Sequence, residues 1–180
     1  FAWILVPSGT DHADTWYIDG SVYDGTRGYT RRAGFGVVVV SANGQLIGLG
    51  HGTPPSWVSD SAGAETWALY QALSFSPFTP RIVTDCLGLL ETLQRGVQAA
   101  VCAHKPHARL WRMIGICLDG DFAAAAARTV WMPSHTSRWD SGTRPKSDAS
   151  PVCLLDWGAN RLADAAAKAA ASLHRLGGLC

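Results

Sequence analysis

The sequence has no Cys-x-x-Cys pair, no excess of charge of either sign and no apolar run long enough to cross a membrane. Its five cysteines, Cys86, Cys102, Cys117, Cys153 and Cys180, are odd in number and scattered. That argues against both a zinc knuckle and a disulfide framework. They are expected as small buried hydrophobes of an intracellular protein in a reducing compartment. Lys and Arg number 15 against 14 Asp and Glu, a net charge of +1. Stand-alone nucleic-acid binders are often strongly basic, so this balance counts mildly against tight binding. The opening residues 1–9 are apolar for only six positions before Pro7, with no basic lead or cleavage-like site, and are not read as a signal peptide. A first residue of Phe in place of Met reads as a processed product or an excised piece of a longer polypeptide.

What is present is a globular composition. At 180 residues and 47% hydrophobic the chain is too apolar for disorder and long enough to bury a core without staples. Residues 15–22 carry the β-formers Trp16, Tyr17 and Ile18, and 34–41 contain the run Val37–Val40. Asn43-Gly44 is expected as a two-residue turn with positive φ at both positions, and 45–51 as the returning strand. After Pro54-Pro55 the period changes to helical, from an expected N-cap at Ser61 through Ala64, Trp67, Ala68 and Gln71 to the stop at Pro77. A short strand at 81–84, a helix through Leu87, Leu90 and Leu93 to Gly96, and a helix after Pro106 with Leu110, Met113, Ile114 and Cys117 inward come next. A strand at 129–132, a loop at 136–151 and an alanine-rich helix at 160–173 complete the chain. The order βββ-α-β-α-α-β-α predicts an α/β fold, one mixed sheet with helices on its faces. The chain reads as one domain with its core at about 14–173, an N-terminal extension at 1–13 and an inserted loop at 136–155.

Four carboxylates sit at element ends or in apolar company. Asp19 closes a strand, Glu65 lies in the first turns of a helix, Asp85 follows Ile82-Val83-Thr84, and Asp164 lies one turn beyond Asn160. Each has a bland alternative: a turn at Asp19-Gly20, a solvated Glu65, Asp85 as a helix cap, and Asp164 paired with Lys168 at i+4. Independent accidents explain the full set poorly. Buried carboxylates need compensation, and divalent cations provide it. Magnesium takes a few carboxylates together with water and phosphate oxygens. Two such ions about 4 Å apart serve phosphodiester hydrolysis.

The segments Tyr17-Ile18-Asp19-Gly20-Ser21, Ala64-Glu65-Thr66-Trp67-Ala68-Leu69, Val83-Thr84-Asp85-Cys86, Met132-Pro133-Ser134-His135 and Asn160-Arg161-Leu162-Ala163-Asp164-x-x-Ala167 together resemble the type 1 ribonuclease H family, cellular or retroelement-derived. The resemblance covers about residues 14–173. It implies a five-stranded sheet of order 3-2-1-4-5, with the first three strands antiparallel and helices on both faces. It implies an endonuclease that cuts the RNA strand of RNA–DNA hybrids, with Asp19, Glu65, Asp85 and Asp164 holding two Mg2+ ions, Mn2+ being able to replace them. His135 matches the family's histidine on the loop before the last helix, associated with proton transfer or product release. Three departures stand out. The basic helical protrusion of some members is not evident, Cys86 stands where Ser is common, and the segment between His135 and Asp164 is long.

The resemblance further implies a monomer that binds a hybrid and no membrane, part of a longer polypeptide such as a reverse transcriptase. Small residues near the carboxylates, Gly20, Ser21, Ser61 and Gly63, together with Asn160, are expected to meet substrate, the 2′-hydroxyl being what distinguishes RNA from DNA. Arg31, Arg32, Lys105, Arg109 and Arg112 are candidates for phosphate contacts, with solvated surface charge as the plain alternative. His104 and His107 flank Lys105 as a small basic patch, while His12, His51 and His174 are assigned no role. The competing readings are a catalytically silent module of the same fold that binds nucleic acid or a protein, and another nuclease such as an exonuclease or integrase. Retention of all four carboxylates argues against the first, and their order and spacing against the second. The eight tryptophans are expected simply to fill the core.

Overall fold

A computed structural model describes residues 1–23 and 31–172. Leu173, His174 and Cys180 lie outside the described residues. The strands are β1 (Ala2–Leu5), β2 (Thr15–Tyr23), β3 (Arg32–Val40), β4 (Leu46–Gly52), β5 (Arg81–Thr84) and β6 (Thr129–Trp131). The helices are α1 (Ser61–Phe75), α2 (Leu87–Arg95), α3 (Val97–Ala100), α4 (Ala108–Cys117), α5 (Phe122–Arg128) and α6 (Leu154–Ser172), with a 3₁₀ turn at Arg138–Asp140. One sheet runs β1-β4-β3-β2-β5-β6. β2, β3 and β4 pair antiparallel, whereas β5 joins β2 and β6 joins β5 in parallel. The expected order 3-2-1-4-5 is therefore present in β4-β3-β2-β5-β6. The correction is a sixth strand.

That strand comes from the residues expected as an extension. β1 pairs antiparallel with β4, because Phe1 and Trp3 bring aromatic surface that needs cover. The Phe1 ring stacks on Phe35 at 5.5 Å and lies 4.7 Å from Phe75. Trp3 meets Trp16 edge-on at 6.4 Å. The absence of polar/apolar alternation in so short a segment hid the strand.

The sheet divides two cores. Trp16, Ile18, Phe35, Val37 and Val39 face α1, α2, α4 and α5, while Tyr17, Val38, Val40, Val83 and Val130 face α6. The Val37–Val40 run is buried on both faces, as expected of a central strand. On the second face, Ala159, Ala163, Ala166, Ala167 and Ala170 form the buried stripe of α6. Small residues there let the helix backbone ride directly on β3. A Cβ at Gly36 would stand 2.2 Å from the Ala163 carbonyl oxygen.

Several local expectations change. The β3–β4 connection is a three-residue loop in which Gly44 N–H donates to Ser41 O and Ser41 N–H to Gln45 O. Gly44 alone has positive φ, +78°, so a type I turn followed by one left-handed residue replaces the expected two-residue turn. The cap of α1 is Asp60, one residue before Ser61, its carboxylate accepting from Gly63 N–H at 2.7 Å. α6 starts at Leu154, six residues before Asn160, and the alanine run 123–127 forms α5, which periodicity did not reveal. Cys117 is exposed, not inward, and Cys153 is exposed too; Cys86 and Cys102 are half-buried, and these four thiols are free. Cysteine as core filler is thus corrected for the described residues. Among them, no helix is long and apolar enough to cross a membrane.

Candidate metal centre

Two adjacent parallel strands place the first two carboxylates. The β2–β5 register pairs Tyr17 with Val83, and extending it by two residues sets Asp19 beside Asp85. Both side chains then point to the same face, one strand spacing of about 4.8 Å apart. β2 continues through Tyr23 with Asp19 opposite Gly36, so Asp19-Gly20 is not a turn. Asp85 does not cap α2 either; Cys86 holds that position without a side-chain cap bond.

Glu65 arrives from the other side because α1 crosses β2 at Gly20. A Cβ there would stand 2.2 Å from Glu65 N and 2.5 Å from Ala64 C, so only glycine permits the crossing. Asp19 and Glu65 are each 6% exposed. One ligand atom from each of Asp19, Glu65 and Asp85 lies within 4.8 Å of the others. Asp164 stands at the open side, its carboxyl near those of Asp19 and Asp85. It also accepts from Lys168 Nζ at 2.8 Å, so the i+4 pairing and the place at the cluster hold together.

The electrostatics follow from that crowding. Burial pushes the Asp19 carboxyl up to about 7; a hydrogen bond with Glu65 works against this, while the charges of Asp85 and Asp164 add to it. Burial first, then the Asp19 charge, holds Glu65 well above the usual carboxylate range. Asp85 is also raised by burial and by Asp164, with its Asn160 hydrogen bond and nearby His135 opposing. Glu65 Oε2 is buried without a hydrogen-bond partner. Converging hard oxygen donors, one of them unpaired, are what a divalent cation such as magnesium requires. The donor set fits the ion.

The other expected residues divide. His135 and Asn160 line a cleft of about 230 Å³ with Asp85, Thr136, Arg161, Asp164 and Lys168. His135 is exposed on its rim with φ +53°. Asn160 is 8% exposed and its amide donates to Asp85 Oδ2 at 3.5 Å, which gives it a positioning role. Gly20 is buried under α1, and Gly63 is buried where a Cβ would stand 2.8 Å from both Val58 and His107. These two glycines set helix packing. Ser61 is exposed beside the α1 cap and Ser21 is half-buried on β2. Arg31, Arg32, Lys105, Arg109 and Arg112 are exposed, Arg109 lying over the Trp57 ring at 4.7 Å. His107 is no free member of a basic patch, its Nε2 lying 3.0 Å from the Asp60 carboxylate.

Sequence reasoning missed three supports. Trp131 Nε1–H donates to the Asp85 carbonyl at 3.0 Å, and Trp157 Nε1–H donates to Thr136 O at 3.1 Å, next to His135. Asp156, 4% exposed, accepts from Tyr17 Oη–H at 2.8 Å and from Lys146 Nζ at 2.8 Å. Tryptophan as mere core filler is corrected, since only Trp16 and Trp111 are fully buried. An indole donor has no sequence signature, because its partner is a backbone carbonyl far along the chain.

No protein-family model and no curated sequence matches the chain. Solved structures do. The solution structure of the prototype foamy virus RNase H domain aligns with TM-score 0.60 at 18% identity, over 91% of this chain and 97% of that one. A foamy viral protease-reverse transcriptase in complex with RNA/DNA hybrid aligns with TM-score 0.60 at 14% identity, over 94% of this chain but only 22% of that one. RNase H1 from the halophilic archaeon Halobacterium salinarum aligns with TM-score 0.50 at 20% identity, over 87% and 96%. With a mixed sheet in the expected order, helices on both faces and these likenesses over nearly its whole length, the chain has the ribonuclease H fold.

Proposed function

We propose that the chain is a metal-dependent endonuclease that hydrolyses the RNA strand of RNA–DNA hybrids. The observation that carries this reading is the meeting of Asp19, Glu65 and Asp85 within 4.8 Å, with the buried Glu65 Oε2 lacking a hydrogen-bond partner. Asp164 completes a four-carboxylate ligand set for two Mg2+ ions, with Mn2+ able to replace them. Bound there, the cations supply a deprotonated water and charge stabilisation at the leaving 3′-oxygen.

The chain's own residues supply the rest. Trp131 and Asn160 hold Asp85 from its backbone and its side chain. Asp19 and Glu65 are buried against α1, and burial raises the cost of their negative charge, which a bound cation would offset. His135, on the open rim, is placed to carry a proton between solvent and the reacting oxygens. The hybrid as partner draws support from a solved neighbour of the same fold that holds RNA/DNA hybrid. The protein acts as a monomeric unit, and a longer polypeptide such as a reverse transcriptase is the setting in which this fold occurs in that neighbour.

A labelled RNA–DNA duplex with Mg2+, compared with single-stranded RNA and duplex DNA, tests the reading. RNA-strand cuts in the hybrid alone are expected. Full activity in EDTA, or in Asp85→Asn, overturns it.

A further inference from the structure

The mechanism leaves the long loop between β6 and α6 without a task, yet this loop is firmly built. Lys146 and Asp156 form an ion pair with side chains only 8% and 6% exposed. Ser147 N–H donates to Trp131 O while its hydroxyl accepts from Trp131 N–H, both at 2.9 Å. Gly142 N–H donates to Val152 O, and Val152 N–H to Arg144 O, at 2.8 Å each. Ser137 and Asp140 close a capping box around the 3₁₀ turn. A segment with so many internal bonds holds its side chains in place.

On this scaffold Trp139 stands 82% exposed, whereas the next most exposed tryptophan, Trp57, is at 38%. The Arg138 guanidinium lies 5.2 Å from the Trp139 ring centroid. A large indole held in water on an ordered turn offers a flat apolar face with a polar edge to a ligand. The surrounding charge selects the ligand. Arg138 and Arg161 are exposed and in no ion pair among the described residues. Exposed Arg144 lies near Asp140. The loop's two acids are engaged, Asp140 by Ser137 and Asp148 by Ser150 and Arg81. An indole face beside guanidinium groups free of ion pairs suits nucleic acid, whose sugars and unpaired bases lie on aromatic faces and whose phosphates carry the opposite charge. Trp139 follows His135 by four residues, a reach of at most ~14 Å, or about four nucleotide steps at ~3.4 Å each.

We propose that Trp139 and Arg138 form a platform that holds the sugar–phosphate face of the hybrid beyond the cut, a reading that rests on the nuclease function above.

The test is steady-state cleavage of a long hybrid and of one trimmed to end at the cut on the loop's side. Trp139→Ala is expected to raise KM for the long hybrid roughly 5- to 100-fold with kcat unchanged. It leaves KM for the trimmed hybrid unaltered, and Trp139→Phe restores most of the loss. An unchanged KM for the long hybrid, or an equal rise on both substrates, overturns the platform while the nuclease reading stands. In the first case Trp139 is left as a protein contact. If the wild-type chain cuts no hybrid in Mg2+, the nuclease reading falls and the platform falls with it.

Discussion

Asp19 and Asp85 occupy equivalent places on neighbouring strands, but burial treats them differently, and the difference is measurable. Asp19→Asn and Asp85→Asn are nearly isosteric and remove charge from the proposed ligand set. Each is expected to lower hybrid cleavage by roughly a thousandfold or more, with circular dichroism unchanged. The same substitution at Asp19 should raise the melting temperature of the metal-free protein at pH 8, because it removes a charge that burial penalises. The pH dependence has a definite sign. With the Asp19 carboxyl near 7 and those of Glu65 and Asp85 also raised, the folded state holds more protons than the unfolded one between about pH 4 and 7. Stability in EDTA is therefore full at the acid end of that window and falls as pH rises through it. Mg2+, which takes the ionised carboxylates, should restore the melting temperature at pH 8 and have little effect at pH 5. Calorimetry at both pH values, with and without Mg2+, reads this directly; a metal-independent stability that rises towards pH 8 contradicts it.

Between elements, two close crossings and one buried ion pair decide the geometry. α1 lies on β2 at Gly20, and α6 lies on β3 at Gly36. Added methyl groups would meet backbone atoms at 2.2 Å in both places. Gly20→Ala and Gly36→Ala are each expected to cost about 3 kcal/mol in urea unfolding. Gly20→Ala should also lose activity in the surviving folded protein, since it moves Glu65. The Lys146–Asp156 pair ties the long loop to the start of α6. Lys146→Met leaves Asp156 buried with only Tyr17 and the Cys153 amide as donors. That should cost roughly 3 to 5 kcal/mol and speed amide exchange at Ser147 and Val152. Unchanged exchange there would show that the loop is held by its backbone bonds alone. None of these three features was visible in spacing or periodicity. A glycine reads as a turn until the crossing helix is known, and Lys146 reads as surface charge until its partner is placed.

At the scale of the whole molecule, the sheet is closed on one side by β1, and Phe1 just before it covers Phe35 and Phe75. Deleting residues 1–7 is expected to cost roughly 2 to 4 kcal/mol and to expose the β4 edge, promoting self-association measurable by light scattering. The sequence by itself determined much of this protein. Strand and helix periods were legible because burial writes patterns of apolar residues into the chain, and the family resemblance led to the strand order and singled out Asp19, Glu65, Asp85 and Asp164, of which the first three meet within 4.8 Å. Tertiary structure decided what depends on partners distant in sequence. It alone showed that Glu65 crosses at Gly20 to meet two aspartates, that Asn160, Trp131 and Trp157 position the rim, that residues 2–5 form an edge strand, and that Trp139 is left in water. Such pairings join residues up to 139 positions apart, as Tyr17 and Asp156 are. A local pattern records how each residue meets its neighbours and the solvent; which distant backbone or charge it will meet is settled only when the elements pack.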